Sequence, residues 1–570
     1  MSSQSAGPTT NSPDADDVVQ SGELEFQRIP PSKQLSGKYF LGAYSGEHVA
    51  GTEFVIGASL VSLGVSTSDL IWGLILGNLM AVLSWAWVCS PIATRSRMTI
   101  YWYLERLAGK KVSYLYNIVN GVLYAVLAGA MITVSASAFR VLIDIPPQTG
   151  LYPTSVSFVL LALAVGGVTV FLALKGFKLI ANFSTVCAPW MIMMFLVSGI
   201  LSLPIVTHFG EQQGLNGLGA MLDALIWTGT TPEGEPGISI WVIAAWAWGV
   251  NLPWHLGMSD MSILRFARKA SYGYFSASGM FIGHFMAWVC AGIMGATAAL
   301  LLKEQLIDMD PGTIAYRILG GMGLLAVVVA GWTTAIPSLY RAGLAFQSVF
   351  YHHKRSTVSV SVGVVTTVIA CFPFVFTSLM QVLSYLTMLL APIGAIIAAE
   401  HFLLPRLGIR PLWREHQGVE DNRPAMLTWI TAVVVGIIMV ALPQIHLFLV
   451  FIPVWLTSFI VYPLLCLSMG AETEPGIDYL EAGYGPVDPP ELPGDTVQSH
   501  PAVNRRDPWY FLSIGCLVVI LLASFWPWIN EGSNAIDYVE TYKWLIVPLT
   551  VTYFIAATMW MRNRRLNSDE

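Results

Sequence analysis

Phe40-Leu-Gly-Ala-Tyr-Ser-Gly-Glu-His-Val-Ala-Gly-Thr-Glu-Phe54 decides how this chain is read. It lies at the start of an apolar run of about 20 residues, long enough to cross a bilayer. Yet it holds three glycines, two carboxylates and a histidine. A helix of that composition is expected to break. A break in hydrocarbon exposes N–H and C=O groups that lipid cannot satisfy, so they must face protein, water or a ligand. Ionisable groups at that depth are costly and usually line a cavity or pair with one another. A second stretch has the same character: Trp246-Ala-Trp-Gly-Val-Asn-Leu-Pro-Trp-His-Leu-Gly-Met-Ser-Asp260. Gly249, Pro253 and Gly257 interrupt it, and Asn251, His255 and Asp260 are polar.

The rest of the chain says where these breaks sit. Of 570 residues 55% are hydrophobic and 11% charged, and the mean hydropathy is +0.62. That is far too little charge to cover a soluble globule, so an all-α polytopic membrane protein is expected. The apolar runs do not alternate with period two, which excludes an outer-membrane barrel. Net charge is −6 and the basic residues form no stripe, so nucleic acid is not an expected partner. The six cysteines form no CxxC pair and suggest neither a disulfide framework nor zinc. No Walker motif, HExxH or nucleophile–base pattern occurs, so neither ATP-driven transport nor an enzyme is expected.

Fourteen apolar segments are read: 39–64, 70–90, 112–143, 155–174, 184–206, 239–263, 273–302, 313–339, 357–375, 377–402, 425–444, 446–468, 509–529 and 541–561. Residues 1–38 are polar, Ser- and Pro-rich, and are expected to be a disordered cytoplasmic N-terminus without a cleaved signal peptide. With that terminus inside, 25 of the 29 Lys and Arg fall on inner segments, placing both termini in the cytoplasm of a cell membrane (plasma or inner). Segments one to five occupy 39–206, an outer loop follows at 207–238, and segments six to ten occupy 239–402. Helices eleven and twelve (425–468), a hydrophilic loop (470–507) and helices thirteen and fourteen (509–561) complete the chain. Five is odd, so the second half runs inverted relative to the first. The broken segments are the first of each half, a pattern that points to a transporter binding site.

Segment eight contains Ala330-Gly-Trp-Thr-Thr334. On a helix the two hydroxyls lie about one turn from the Ala330 carbonyl. That makes an oxygen-rich nest for a small hard cation, although threonines also bond back to their own helix. The run Trp241, Trp246, Trp248 and Trp254 can stack a planar ring or anchor the chain at the interface. His352-His353-Lys354-Arg355 is read as a solvated inner loop facing anionic lipid rather than a metal site.

These residues resemble the sodium–solute symporter family, which has the LeuT-like five-plus-five inverted repeat. Tyr44-Ser-Gly-Glu-His48 is similar to its Ser-x-Glu segment. Met98 to Lys111 is similar to its cytoplasmic Thr-x-x-(Glu)-(Tyr/Phe)-(Leu/Val)-Glu-(Lys/Arg) segment before a Gly-Lys-Lys-type turn, Asn251 to Arg265 to its break in core helix six, and Ala330-x-x-Thr333-Thr334 to its sodium motif. The resemblance implies a sodium ion held by the carbonyls of Leu41, Tyr44 and Ala330 and the hydroxyls of Thr333 and Thr334. It also implies a midplane solute pocket lined by Glu47, His48, Tyr124, Trp246, Asn251, Trp254, His255 and Tyr385. Asp260 and Leu264 stand where the family often has Gln, and Pro337 and Tyr340 where it has Ser and Asn. Leu390-Ala-Pro-Ile-Gly394, Ala399-Glu-His-Phe402 and Lys178 to Ser184 look more like the nucleobase–cation symporter family. The expected function is secondary active transport: a sodium-coupled symporter importing a small organic solute by alternating access. Nucleobase or hydantoin symport, with Na+ or H+ as coupling ion, is the second reading. Glu47, His48 and Asp260 are the groups that would carry a proton. A channel fits less well, because two broken helices suggest an occluded site.

Overall fold

The computed structural model describes residues 27–174, 177–473, 507–529 and 535–566. Most of the expected N-terminal disorder (1–26) and of the hydrophilic loop (474–506) lies outside the described residues. Among those described, the chain is helical, with isolated β-bridges and no strand.

The first broken segment is two helices, α1 (Gly37–Glu47) and α2 (Gly51–Ser62). Ala50 between them is extended at φ −127° and ψ 175°, which stops the helical hydrogen-bond ladder. A 30-residue helix α3 (Thr67–Ser96) follows. Ser66 starts it by accepting the Asp69 N–H at 3.1 Å, as a serine N-cap does. A short amphipathic α4 (Ile100–Ala108) leads to α5 (Lys110–Leu142), α6 (Val156–Leu174) and α7 (Phe177–Gln212). The outer connection holds α8 (Leu218–Leu225).

The second broken segment is α9 (Ile240–Gly249), one turn α10 (Leu252–His255), and one turn α11 (Met261–Leu264). Met258 between the last two is left-handed at φ 68°. Then come α12 (Ala270–Leu302), α13 (Pro311–Leu319), α14 (Gly321–Val349), α15 (Arg355–Ala370) and α16 (Leu379–Phe402). Four more long helices among the described residues close the chain: α17 (Arg423–Val440), α18 (Phe451–Ser468), α19 (Pro508–Ala523) and α20 (Ala535–Leu566).

Among the described residues, eleven helices are long and apolar enough to cross a membrane. Three shorter apolar helices, α2, α9 and α15, fall on the first, sixth and ninth of the expected segments. Fourteen crossings therefore remain an expectation of the apolar pattern, since the broken segments are too short to count by length alone.

The long helices α5 and α14 pack along each other as a central pair. Their contact is close because Gly331 lacks a side chain: a Cβ there would sit 2.0 Å from Ser135 Oγ. The break of the first segment meets the same point. A Cβ on Gly51 would come within 3.2 Å of Gly331 Cα and 2.8 Å of Met131 Sδ. At the far end, Arg140 on α5 is clamped to Asp310, the cap of α13. Nε lies 2.5 Å from Oδ2 and Nη2 lies 2.8 Å from Oδ1. Both side chains are buried, and Arg140 also donates to the Ile145 carbonyl at 2.9 Å and to Thr313. The C-terminal pair packs on α7, where Tyr553 OH donates to the Val186 carbonyl at 2.8 Å and Trp190 Nε1 to Thr550 at 3.2 Å.

Candidate solute and ion site

Both helix breaks open on one cavity of about 680 Å³. From the first break its wall takes Gly46, Glu47, His48, Ala50 and Thr52; from the second, Val250, Asn251 and Trp254. Helix α7 adds Thr185, Ala188 and Pro189, and α12 adds His284. The opposite wall is α14, with Thr333, Thr334, Ser338 and Arg341.

One ion pair joins two walls of this cavity. Arg341 Nη1 lies 2.8 Å from Glu47 Oε1, with 29% and 26% of the two side chains exposed. The guanidinium also stands 5.5 Å above the Tyr124 ring, a cation–π arrangement. Tyr124 meets Trp254 edge-on at 6.1 Å. His48 Nδ1 is 2.9 Å from the Tyr44 carbonyl, one turn back along α1. Its ring faces His284 at 5.2 Å, and His284 stacks on Trp288 at 4.4 Å. Trp288 in turn donates to Glu53, whose other oxygen accepts from Thr52 at 3.1 Å. Asn251 Nδ2 lies 3.4 Å from His284 Nδ1. The two broken segments are thus joined by a chain of hydrogen bonds and ring contacts, most of whose members line the cavity.

Asp260 lies outside the cavity wall but joins three elements. It accepts Tyr44 OH at 3.1 Å and Trp85 Nε1 at 2.6 Å, linking α1, α3 and the second break. His255 is also behind the wall, 3.0 Å from the Trp248 carbonyl and against Trp85 at 4.6 Å.

Of the residues expected from sequence, Glu47, His48, Asn251, Trp254, Thr333 and Thr334 meet in the cavity. Tyr124 backs it through Arg341 and Trp254. Trp246 does not reach it: the side chain is buried against Phe448 at 4.6 Å. Tyr385 lies outside the wall and is 44% exposed. Thr333 and Thr334 each donate to the Ala330 carbonyl at 3.0 Å. Their oxygen lone pairs stay available to a cation. Leu41 and Tyr44 are outside the wall. The Leu41 carbonyl accepts Ser45 at 2.7 Å and Ser278 at 3.1 Å, and that of Tyr44 accepts the His48 N–H at 3.4 Å.

Arg341 and His284 are not among the site residues expected from sequence, and Glu53 is the second carboxylate of the first broken segment. Arg341 is one of the basic residues on the inner side in the orientation count. Its signal was present: it lies seven residues after Thr334, two turns along the same helix face. Nothing local in the sequence marks His284 or Glu53 as neighbours. Among the described residues, no three His, Cys, Asp or Glu side chains converge as a metal site. All six cysteines are free and buried.

No family model matches this sequence, and no curated protein matches it. Solved structures do share its fold. One is Mhp1, a nucleobase-cation-symport-1 family transporter, in a closed conformation with bromovinylhydantoin bound. The TM-score is 0.58 at 14% identity, over 81% of this chain and 98% of that one. The inward facing conformation of Mhp1 gives a TM-score of 0.58 at 16% identity, over 77% and 94%. A Na+-coupled sialic acid symporter in a substrate-bound outward-open state gives 0.48 at 12%, over 79% and 92%. At such identities the two likenesses to Mhp1 carry the fold alone. This chain is an all-α, multi-pass membrane protein with the LeuT-like inverted-repeat architecture that Mhp1 has.

Proposed function

We propose that this chain is a secondary active transporter that imports a small organic solute by alternating access, coupled to a cation gradient. The observation that carries the reading is the meeting of two helix breaks at one cavity walled by α14. Broken backbone there supplies donors and acceptors to a solute without side-chain cost, and the half-helices can tilt without unwinding a whole span.

The wall defines what the solute looks like. Trp254 offers an aromatic face; Asn251, His48 and the Glu47–Arg341 pair offer hydrogen bonds at its edge. A small planar solute with both donors and acceptors satisfies them, which favours the nucleobase or hydantoin class over a flexible chain. The hydantoin held by Mhp1 agrees with this.

Sodium is the coupling ion that Ala330, Thr333 and Thr334 suggest, because oxygen donors suit a small hard cation. The proton is the second reading, supported by Glu47: a carboxylate paired with a fixed cation at the break can bind a proton when the pair opens. A tenfold Na+ gradient supplies about 1.4 kcal/mol, and a potential of about 100 mV adds about 2.3. One ion per solute therefore sustains roughly a 500-fold solute gradient. In this reading the protein sits in the cell membrane with both termini inside.

Thermal unfolding of the purified protein against a panel of hydantoins, nucleobases and amino acids, in NaCl, KCl and choline chloride, tests it. A compound that stabilises only in NaCl supports solute and ion together. Stabilisation in all three salts, with uptake driven by a pH gradient, selects the proton. No stabilisation by any compound, with no uptake in liposomes, overturns the reading.

A further inference from the structure

A second concavity lies on the outside of the helix bundle, away from the solute cavity. It is a groove of about 450 Å³ between α5, the end of α14 and α15. Val122 and Val126 form one wall, Phe346 the floor, and Val358, Val365 and Ile369 the other wall. On α15 the valines beside it, Val360, Val364 and Val368, are exposed, so this face meets the bilayer.

The groove has a polar end. His353 and Thr357 line it there, and His352-His353-Lys354-Arg355 runs across the mouth with all four side chains exposed. Arg355 is held over the Tyr340 ring at 5.3 Å, which fixes its charge beside α14. The 16-residue α15 begins at this mouth and its N-cap, Lys354, makes no side-chain cap, so the positive end of the helix dipole adds to the same field. From Thr357 to Ile369 the groove wall is about 18 Å long at 1.5 Å per residue. One leaflet of hydrocarbon is about 15 Å, half of about 30 Å.

We propose that this groove holds one acyl chain of an anionic phospholipid whose head group is bound by Lys354 and Arg355. The apolar walls match a chain in length and chemistry, and the basic mouth matches the phosphate of a lipid in the Lys- and Arg-rich leaflet. A second copy of this chain is a poorer occupant, because docking on this face would bring two such basic clusters together. The site is independent of what the protein transports, since no groove residue lines the solute cavity.

The test is lipid binding to the delipidated, full-length protein by native mass spectrometry and thermal unfolding. Dioleoyl phosphatidylglycerol is compared with dioleoyl phosphatidylcholine, so that the tails are identical. At about 1 kcal/mol per basic residue near the surface, two residues give phosphatidylglycerol roughly a 30-fold advantage. Lys354→Ala with Arg355→Ala is expected to remove that advantage and leave phosphatidylcholine binding as it was. Val365→Trp, at an exposed position that fills the groove without touching the core, is expected to weaken both lipids. Equal affinity for the two lipids in the unsubstituted protein overturns the proposal. So does a preference that survives loss of both basic residues, or binding of both lipids unaffected by Val365→Trp.

Discussion

Arg341 on α14 reaches Glu47 at the end of α1, 2.8 Å from Nη1 to Oε1, and so joins a broken helix to an unbroken one across the solute cavity. In the proposed cycle α1 tilts against α14, and this pair must open and re-form. Both side chains are partly exposed to the cavity, so the pair contributes less than a fully buried one. Its value lies in holding two elements in register.

Glu47→Gln and Arg341→Met are each expected to lower solute uptake in liposomes by tenfold or more, because each leaves one charge facing the cavity alone. The double substitution should regain thermal stability over Arg341→Met while uptake stays low. Wild-type uptake rates in either single variant would show that the pair has no part in transport.

Thr333→Ala with Thr334→Ala removes the two hydroxyls that share the Ala330 carbonyl. Sodium-dependent uptake should disappear while expression and folding hold, since neither hydroxyl bonds outside its own helix. Uptake in NaCl and in choline chloride is the measurement. If the ratio between them does not change, sodium binds elsewhere.

Gly331→Ala places a Cβ 2.0 Å from Ser135 Oγ and 2.7 Å from the Met131 carbonyl. Backbone cannot move aside as a side chain does. The α5–α14 contact should open, at about 1–3 kcal/mol, and the melting temperature should fall. Gly42→Ala is the control, because a Cβ there meets nothing within 4 Å. Similar melting temperatures for the two variants would mean that the packing is looser than described.

Asp310→Ala strips the buried partner from Arg140 and removes the cap of α13, whose Thr313 N–H it accepts at 2.9 Å. Stranding a buried charge costs about 3–5 kcal/mol, with about 1 more for the cap. Asp310→Ala should therefore unfold far below the parent, and Arg140→Met with Asp310→Leu should recover most of the loss. Thermal unfolding in detergent measures both. Equal losses in the single and double variants would count against a stranded charge as the cause.

Much of this architecture was legible before any coordinates. Membrane residence followed from composition, and both helix breaks from glycine, proline and polar residues clustered in apolar runs, because those are properties of a short stretch of chain. Glu47, His48, Asn251 and Trp254 could be named as candidates for the same reason: they lie at or beside a break, and all four line the cavity. The pocket's aromatic residues were harder. Trp246 and Trp254 share one broken segment, yet one packs against Phe448 and the other lines the cavity. Helical phase across a break is set by tertiary contacts, which no periodicity in the sequence can report. Tyr385 failed similarly, since depth along a helix says nothing about which side it faces.

Local chemistry thus settled the solvent, the helical class and the places where helices must stop. Partnership between distant side chains was decided by packing alone: Arg341 with Glu47, Arg140 with Asp310, His284 with His48. Hydrocarbon penalises an unpaired charge or N–H wherever it lies along the chain, but only the close approach of helices, as at Gly51 and Gly331, selects which group satisfies it.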